Sequence, residues 1–268
     1  VIPTPTQPSR GGPKKRFGQH FLTDPNTARI VAAGVGEGDV VLEIGPGRGA
    51  LTTVLADRAR LVHAVEVDEG VIPELRTVLA GRDNVRVYTG DALQFDYAAL
   101  EPAPVSMVAN LPYNVASPLV LGLLEGVSGL HRLRFMVQLE VARRMAAAPR
   151  TKDYGSYAVL VQLLAGVSVE HKVSRRVFDP PPRVESAVVE ACRHAELPFE
   201  EGEYSGVKAL VLAAFASRRK RLANNLSSGD RDNAPVALSS LGYGPDARAE
   251  ELSPVDFVAL YRRLGGAG

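Results

Sequence analysis

Three short stretches carry side chains of the right kind to hold a nucleoside. Glu43-Ile44-Gly45-Pro46-Gly47-Arg48-Gly49 follows an apolar run and precedes a helical one. Glycines in such a turn let the backbone pass close to a ligand with no Cβ in the way. The spacing is G-x-G-x-G, and Pro46 removes an amide that a pyrophosphate would use, which argues against a dinucleotide. Glu66 ends the next apolar run, where a carboxylate can accept both ribose hydroxyls of an adenosine-containing ligand. Asp91, in Thr89-Gly90-Asp91-Ala92-Leu93, ends the third and can accept from an adenine amino group. Each feature alone is an ordinary turn or strand-end acid. Three successive strand ends carrying them read as one nucleoside pocket.

A fourth strand end adds chemistry. Asn110-Leu111-Pro112-Tyr113 closes the run before it. An exocyclic amine is a poor nucleophile because its lone pair is delocalised into the ring. The Asn110 side-chain oxygen and the carbonyl near Leu111 can accept its N–H groups and aim the lone pair at an electrophilic carbon, while stabilising the charge that develops on nitrogen. No strong base is needed, since the nitrogen becomes acidic once it has attacked. Tyr113 offers a face on which an extruded base can stack.

The elements that must position these residues alternate in type. Val40–Ile44, Leu61–Val67, Val85–Tyr88, Val105–Ala109 and Leu133–Leu139 read as strands. Helices are predicted from about Ala50 to Ala59, from Val71 to Ala80 and from Leu119, with a short one over 26–36. This alternation implies a mostly parallel sheet covered on both faces. Tyr157–Leu164 reads as helix, Val167–Val173 as strand and Val184–Cys192 as a final antiparallel strand. Between the last two, Phe178-Asp179-Pro180-Pro181-Pro182-Arg183 is a stiff extended loop, because consecutive prolines fix φ. Phe178 is expected at the rim of the cleft, facing an extruded base. After an acidic linker, Glu196–Glu203, the pattern becomes all-helical: Val207–Leu226 with a basic end, Asn233–Leu241 and Pro254–Leu264. The expected organisation is a disordered arm over 1–13, a catalytic domain over 14–195 and a helical module over 196–268.

Composition narrows the class. The chain has 268 residues, 46% hydrophobic and 23% charged, the balance of a soluble globular protein. No apolar run reaches the ~20 residues of a membrane helix. One cysteine, Cys192, permits no internal disulfide and suits the cytoplasm. The histidines are scattered without metal-ligand spacing, so no metal is expected. Net charge is +1, but its distribution says more. Arg10, Lys14, Lys15 and Arg16 form one basic cluster and Arg218, Arg219, Lys220 and Arg221 another. Flanking a catalytic domain, both are candidates for phosphate contacts.

The Asn-Leu-Pro-Tyr stretch resembles the motif of rRNA adenine methylases, and further segments narrow the likeness. Arg16-Phe17-Gly18-Gln19-His20-Phe21-Leu22-Thr23-Asp24 is similar to the cofactor-closing motif of KsgA-type dimethyltransferases. Phe178 to Ser186 is similar to their late target-binding loop. Lys152 to Tyr157 and Arg218 to Leu226 also resemble that family. The resemblance implies a Rossmann-like class I methyltransferase fold, α/β with a seven-stranded mostly parallel sheet, plus a small all-helical C-terminal domain. It implies S-adenosyl-L-methionine as cofactor, contacted by His20, Leu22, Gly45, Gly47, Glu66, Asp91 and Asn110. It implies target-adenine contacts at Asn110, Leu111, Pro112, Tyr113 and Phe178. Three differences from the family's usual residues stand out: His20 replaces Asn, and Arg221 and Ala223 replace Thr and Arg. The expected substrate is small-subunit rRNA within a ribosomal precursor, modified on two adjacent adenosines by a monomeric enzyme. Two rivals remain. One is an Erm-type methylase of large-subunit rRNA, against which the Phe178 loop and the basic C-terminal stretch argue. The other is a ribosome-assembly or transcription factor that keeps the fold as a binding module.

Overall fold

The structure is a computed structural model and describes residues 19–265. The expected arm and Lys14, Lys15 and Arg16 lie outside the described residues. The chain forms two compact units. One holds the described residues up to Leu139 together with Glu170–Glu190; the other holds Glu140–Val169 and the described residues from Ala191 on.

In chain order the elements are β1 (Phe21–Leu22), α1 (Pro25–Val31), β2 (Val40–Ile44), α2 (Ala50–Ala56), β3 (Leu61–Glu66), α3 (Ile72–Val78), β4 (Val85–Thr89), β5 (Ser106–Asn110), α4 (Ala116–Gly126) and β6 (Arg132–Gln138). Then follow α5 (Leu139–Met145), α6 (Ser156–Leu164), β7 (Ala165–Val173), β8 (Phe178–Asp179), β9 (Ser186–Arg193), α7 (Glu203–Ala214), α8 (Ser228–Ser240) and α9 (Pro254–Arg263). The seven-stranded sheet runs β4-β3-β2-β5-β6-β9-β7. The four pairings among β2 to β6 are parallel. β2 and β3 are buried at every position, which is why they read as largely apolar runs instead of alternating ones.

The order of strands decides where a ligand can sit. From β2 the chain steps outward through β3 to β4, then returns to place β5 on the other side of β2. At such a switch point the connections leave in opposite directions and open a crevice beyond the carboxyl ends of the strands. The register brings those ends level: Ile44 pairs with Val65, Glu66 with Thr89 and Asn110 with Met136.

Local signals start and stop the helices. Asp24 caps α1 by accepting from the Thr27 amide at 2.7 Å, with Pro25 in the first turn. Ser253 and Asp256 form a reciprocal capping box on α9. In the second unit α7 packs on α9 through Gly206, where an added Cβ would lie 2.3 Å from the Tyr261 hydroxyl. Tyr154 meets the Phe215 ring edge-on at 6.1 Å, Phe215 lies 5.8 Å from Phe257, and the Tyr154 hydroxyl donates to the Leu252 carbonyl at 2.9 Å.

One expected helix is shorter than its apolar pattern. α7 ends at Ala214, so Arg218, Arg219, Lys220 and Arg221 stand in a turn, followed by a 3-10 turn over Leu222–Asn225. The Asn225 side chain accounts for the stop. It donates to the carbonyls of Ala214 at 2.7 Å and Ser217 at 3.1 Å, satisfying groups that a continuing helix would have used. No described helix is long and apolar enough to cross a membrane.

Candidate active site

The crevice is a cavity of about 280 Å³ in the first unit. His20, Leu22, Gly45, Gly47, Glu66, Asp91 and Asn110 all line it, as do Leu111, Pro112 and Tyr113. Thus the four strand ends singled out in the sequence meet in one place, closed on one side by the segment that contains β1.

The glycine turn does what its residues allow. Gly45, Gly47 and Gly49 have φ of 70°, 55° and 84°, a region that residues with a Cβ rarely adopt. At Gly47 a Cβ would also come within 3.1 Å of the Phe21 ring. The turn is tied to β3 by one carboxylate: Glu66 Oε2 accepts from the Gly47 amide at 3.0 Å and Oε1 from the Asp68 amide at 2.8 Å. Each oxygen keeps a second lone pair, so Glu66 can shape the turn and still accept from a ligand. Burial raises its pKa, partly offset by these amides. Asp91 is held by its own loop, Oδ1 accepting from the Leu93 amide at 2.9 Å.

At the end of β5 the Asn110 side chain donates from Nδ2 to the His20 carbonyl at 3.2 Å. This bond orients the amide and reserves Oδ1 for accepting, as the positioning of an amine requires. The Tyr113 hydroxyl is bonded to Ser186 Oγ at 2.7 Å, which fixes the ring, and burial raises its pKa. The His20 ring lies 5.5 Å from that of Tyr113. His20 Nδ1 is 2.7 Å from the Pro180 carbonyl. A carbonyl only accepts, so Nδ1 carries the hydrogen.

Phe178 departs from expectation. It does not line the cavity; it is 4% exposed, in an apolar cluster with Leu22, Val31, Leu55 and Val188. Pairing of β8 with β1, Leu22 opposite Phe178, turns the ring inward. The stiffness of the proline segment holds this placement and does not expose it.

The basic cluster also divides. Arg218 is paired with Glu250 at 3.2 Å and donates to the Lys152 carbonyl at 3.0 Å, and Arg221 is paired with Asp246 at 2.7 Å. Arg219 and Lys220 are exposed and make no ion pair among the described residues.

Three cavity residues escaped the sequence reading as functional candidates. Gln19 donates to Asp68 at 2.9 Å. Arg48 lies 4.4 Å over the Phe21 ring and is paired with Glu74 and Asp179. Glu43 is 1% exposed, and its Oε2 has no hydrogen-bond partner among the described residues. An acid inside an apolar strand gives no sign in sequence of facing a cavity.

Comparison with known proteins decides the family. The family model described as ribosomal RNA adenine dimethylase matches residues 12–265. The chain belongs to the ribosomal RNA adenine dimethylase family. Among curated relatives, the ribosomal RNA small subunit methyltransferase A of Rubrobacter xylanophilus is 67% identical over 252 residues, covering 94% of this chain and 95% of the relative. Among solved structures, a dimethyladenosine transferase from Plasmodium falciparum aligns with TM-score 0.77 at 25% identity, over 92% of this chain and 98% of that one. The 23S rRNA methyltransferase ErmE aligns with TM-score 0.72 at 31% identity, over 91% and 99%. The chain is therefore a methyltransferase of rRNA adenines that uses S-adenosylmethionine. The cavity suits that cofactor: glycines admit close backbone approach, and buried carboxyl groups face a ligand that carries hydroxyls, an amine and a cation.

Proposed function

We propose that this chain adds two methyl groups to N6 of each of two adjacent adenosines in a hairpin near the 3′ end of small-subunit rRNA, within a precursor of that subunit. The name and 67% identity of the Rubrobacter relative support the choice of subunit. The observation that carries the chemistry is Asn110, whose amide is turned by the His20 carbonyl so that its oxygen is left to accept.

S-adenosylmethionine supplies an electrophilic methyl group on a sulfonium centre. Around it the chain's residues divide the work. Glu66 accepts the ribose hydroxyls, Asp91 accepts from the cofactor's adenine amine, and Gly45 and Gly47 let the turn come close. His20 and Leu22 close the cavity. Asn110 Oδ1 and the Leu111 carbonyl hold the N–H groups of the target amine, Pro112 stiffens the turn, and Tyr113 supplies a stacking face. Phe178 acts through its packing under Leu22. The 14–195 region carries the chemistry and the 196–268 region contacts RNA, with Arg219 and Lys220 leading and Arg218 and Arg221 joining only by leaving their carboxylates. Lys14, Lys15 and Arg16 add phosphate contacts. The enzyme works as a monomer in the cytoplasm.

A second reading, methylation of large-subunit rRNA, is favoured by the 31% identity to ErmE. A third, a binding module without catalysis, leaves the acceptor set of Glu66, Asp91 and Asn110 unexplained. Labelled methyl transfer to unmethylated small subunits, large subunits and naked RNA in parallel separates the three. Label is expected in small subunits; label confined to large-subunit RNA supports the second reading, and none in any substrate supports the third.

A further inference from the structure

Glu43 lines the cavity, and none of the roles proposed above uses it. It sits on β2 one residue before the strand's end, is 1% exposed, and places Oε2 beyond hydrogen-bond reach of any group among the described residues. The groups around it supply no positive charge. From β3 it meets the Glu66 carboxylate, and from α2 the buried Thr52 hydroxyl, which lies close enough to favour the ionised form. Asn110, at the end of β5, is neutral. Arg48 in the following turn is engaged with Glu74 and Asp179. A carboxyl in such surroundings keeps its proton, because burial and a neighbouring anion both oppose ionisation. Together they push Glu43 up to about 8, a shift that the nearby Thr52 reduces.

We infer that Glu43 is the residue by which the site tells cofactor from product: its carboxyl gives up a proton when the sulfonium cation of S-adenosylmethionine enters the cavity, and keeps it when S-adenosylhomocysteine, with a neutral sulfur, is bound. This rests on reading the cavity as the cofactor site. The proton passes to the solvent buffer and no bond forms between Glu43 and the ligand. Once the methyl group has left, the cation that favoured the carboxylate is gone, and Glu43 regains a proton from solvent. An attraction present with cofactor is then absent with product, which speeds exchange of one for the other.

Calorimetric titration of the full chain near pH 7, in buffers of different ionisation enthalpy, reads the protons released per ligand bound. The α-amino group common to both ligands cancels in the comparison. More than about half a proton should separate S-adenosylmethionine from S-adenosylhomocysteine. Relative to product, cofactor affinity should rise with pH towards tenfold per unit until the free-state value near 8, then level. Glu43→Gln, a neutral isostere of the protonated acid, should abolish the difference. Equal release for both ligands, or a difference that persists in Glu43→Gln and so belongs to Glu66 or another group, overturns the inference. Difference infrared spectra of the wild-type chain test it without a variant: the protonated-carboxyl C=O band should be lost with cofactor and kept with product, and its retention with cofactor overturns the inference. Unchanged cofactor affinity in Glu66→Ala overturns the site reading and this inference together. Normal binding without the proton difference overturns this inference alone.

Discussion

Glu66 braces the glycine turn through the Gly47 and Asp68 amides, and in the proposed function its remaining lone pairs accept from the ribose. Glu66→Ala removes both. Cofactor binding should weaken by roughly 1.5–3 kcal/mol, the range for hydrogen bonds to a charged group, and calorimetry showing unchanged affinity would remove the cavity from the account. Glu43 makes a different kind of prediction. Its pKa is raised from 4.5 to about 8, so the folded chain holds this proton more tightly than the unfolded one. The stability it contributes is full below about 4.5 and is lost as pH rises through about 8. In the free protein, Tm should therefore fall more steeply over that window than in Glu43→Gln. Parallel profiles would mean that Glu43 ionises normally. Glu66, Asp91 and Asn110 were legible in the sequence because each ends an apolar run, where a polar residue stands out. Glu43 was read only as the start of the glycine motif, because a side chain's lack of a partner is a property of three elements at once.

At the scale of elements, legibility followed locality. β2, β3, β5 and β6 were readable because burial on both sides leaves a mostly apolar run and turn residues mark its ends. β1 and β8 were not, being two residues each and existing only through their pairing with one another. That pairing reverses the expectation for Phe178. Buried against Leu22 and Val188, it should cost about 3–5 kcal/mol on truncation to Ala, as for other emptied phenylalanine sites. Denaturant unfolding of Phe178→Ala measures this; a loss under about 1 kcal/mol would return the ring to the cleft rim. The end of α7 was missed for a similar reason. Apolar spacing continues past Ala214 to Phe215, but Asn225 closes the helix from across the turn, and a cap supplied from outside the helix has no local signature.

Across the whole molecule, a net charge of +1 means that RNA must be met by placed cations and not by a general field. With Arg218 and Arg221 engaged by carboxylates, the basic turn offers two unengaged side chains. Replacing Arg219 and Lys220 together with Ala should lower the slope of log affinity against log salt by roughly 1–2, since each neutralised phosphate contributes about 0.7–0.9. Cofactor affinity should not move. An unchanged slope would make the turn a solvated surface. The proposed function is dimethylation of adenosines in the rRNA of the small subunit. Nucleoside mass spectrometry of unmethylated small subunits after reaction with the chain and S-adenosylmethionine tests it most directly. N6,N6-dimethyladenosine is expected at two adjacent positions near the 3′ end of the small-subunit rRNA. Unmodified small-subunit rRNA alongside dimethylated large-subunit rRNA would contradict it.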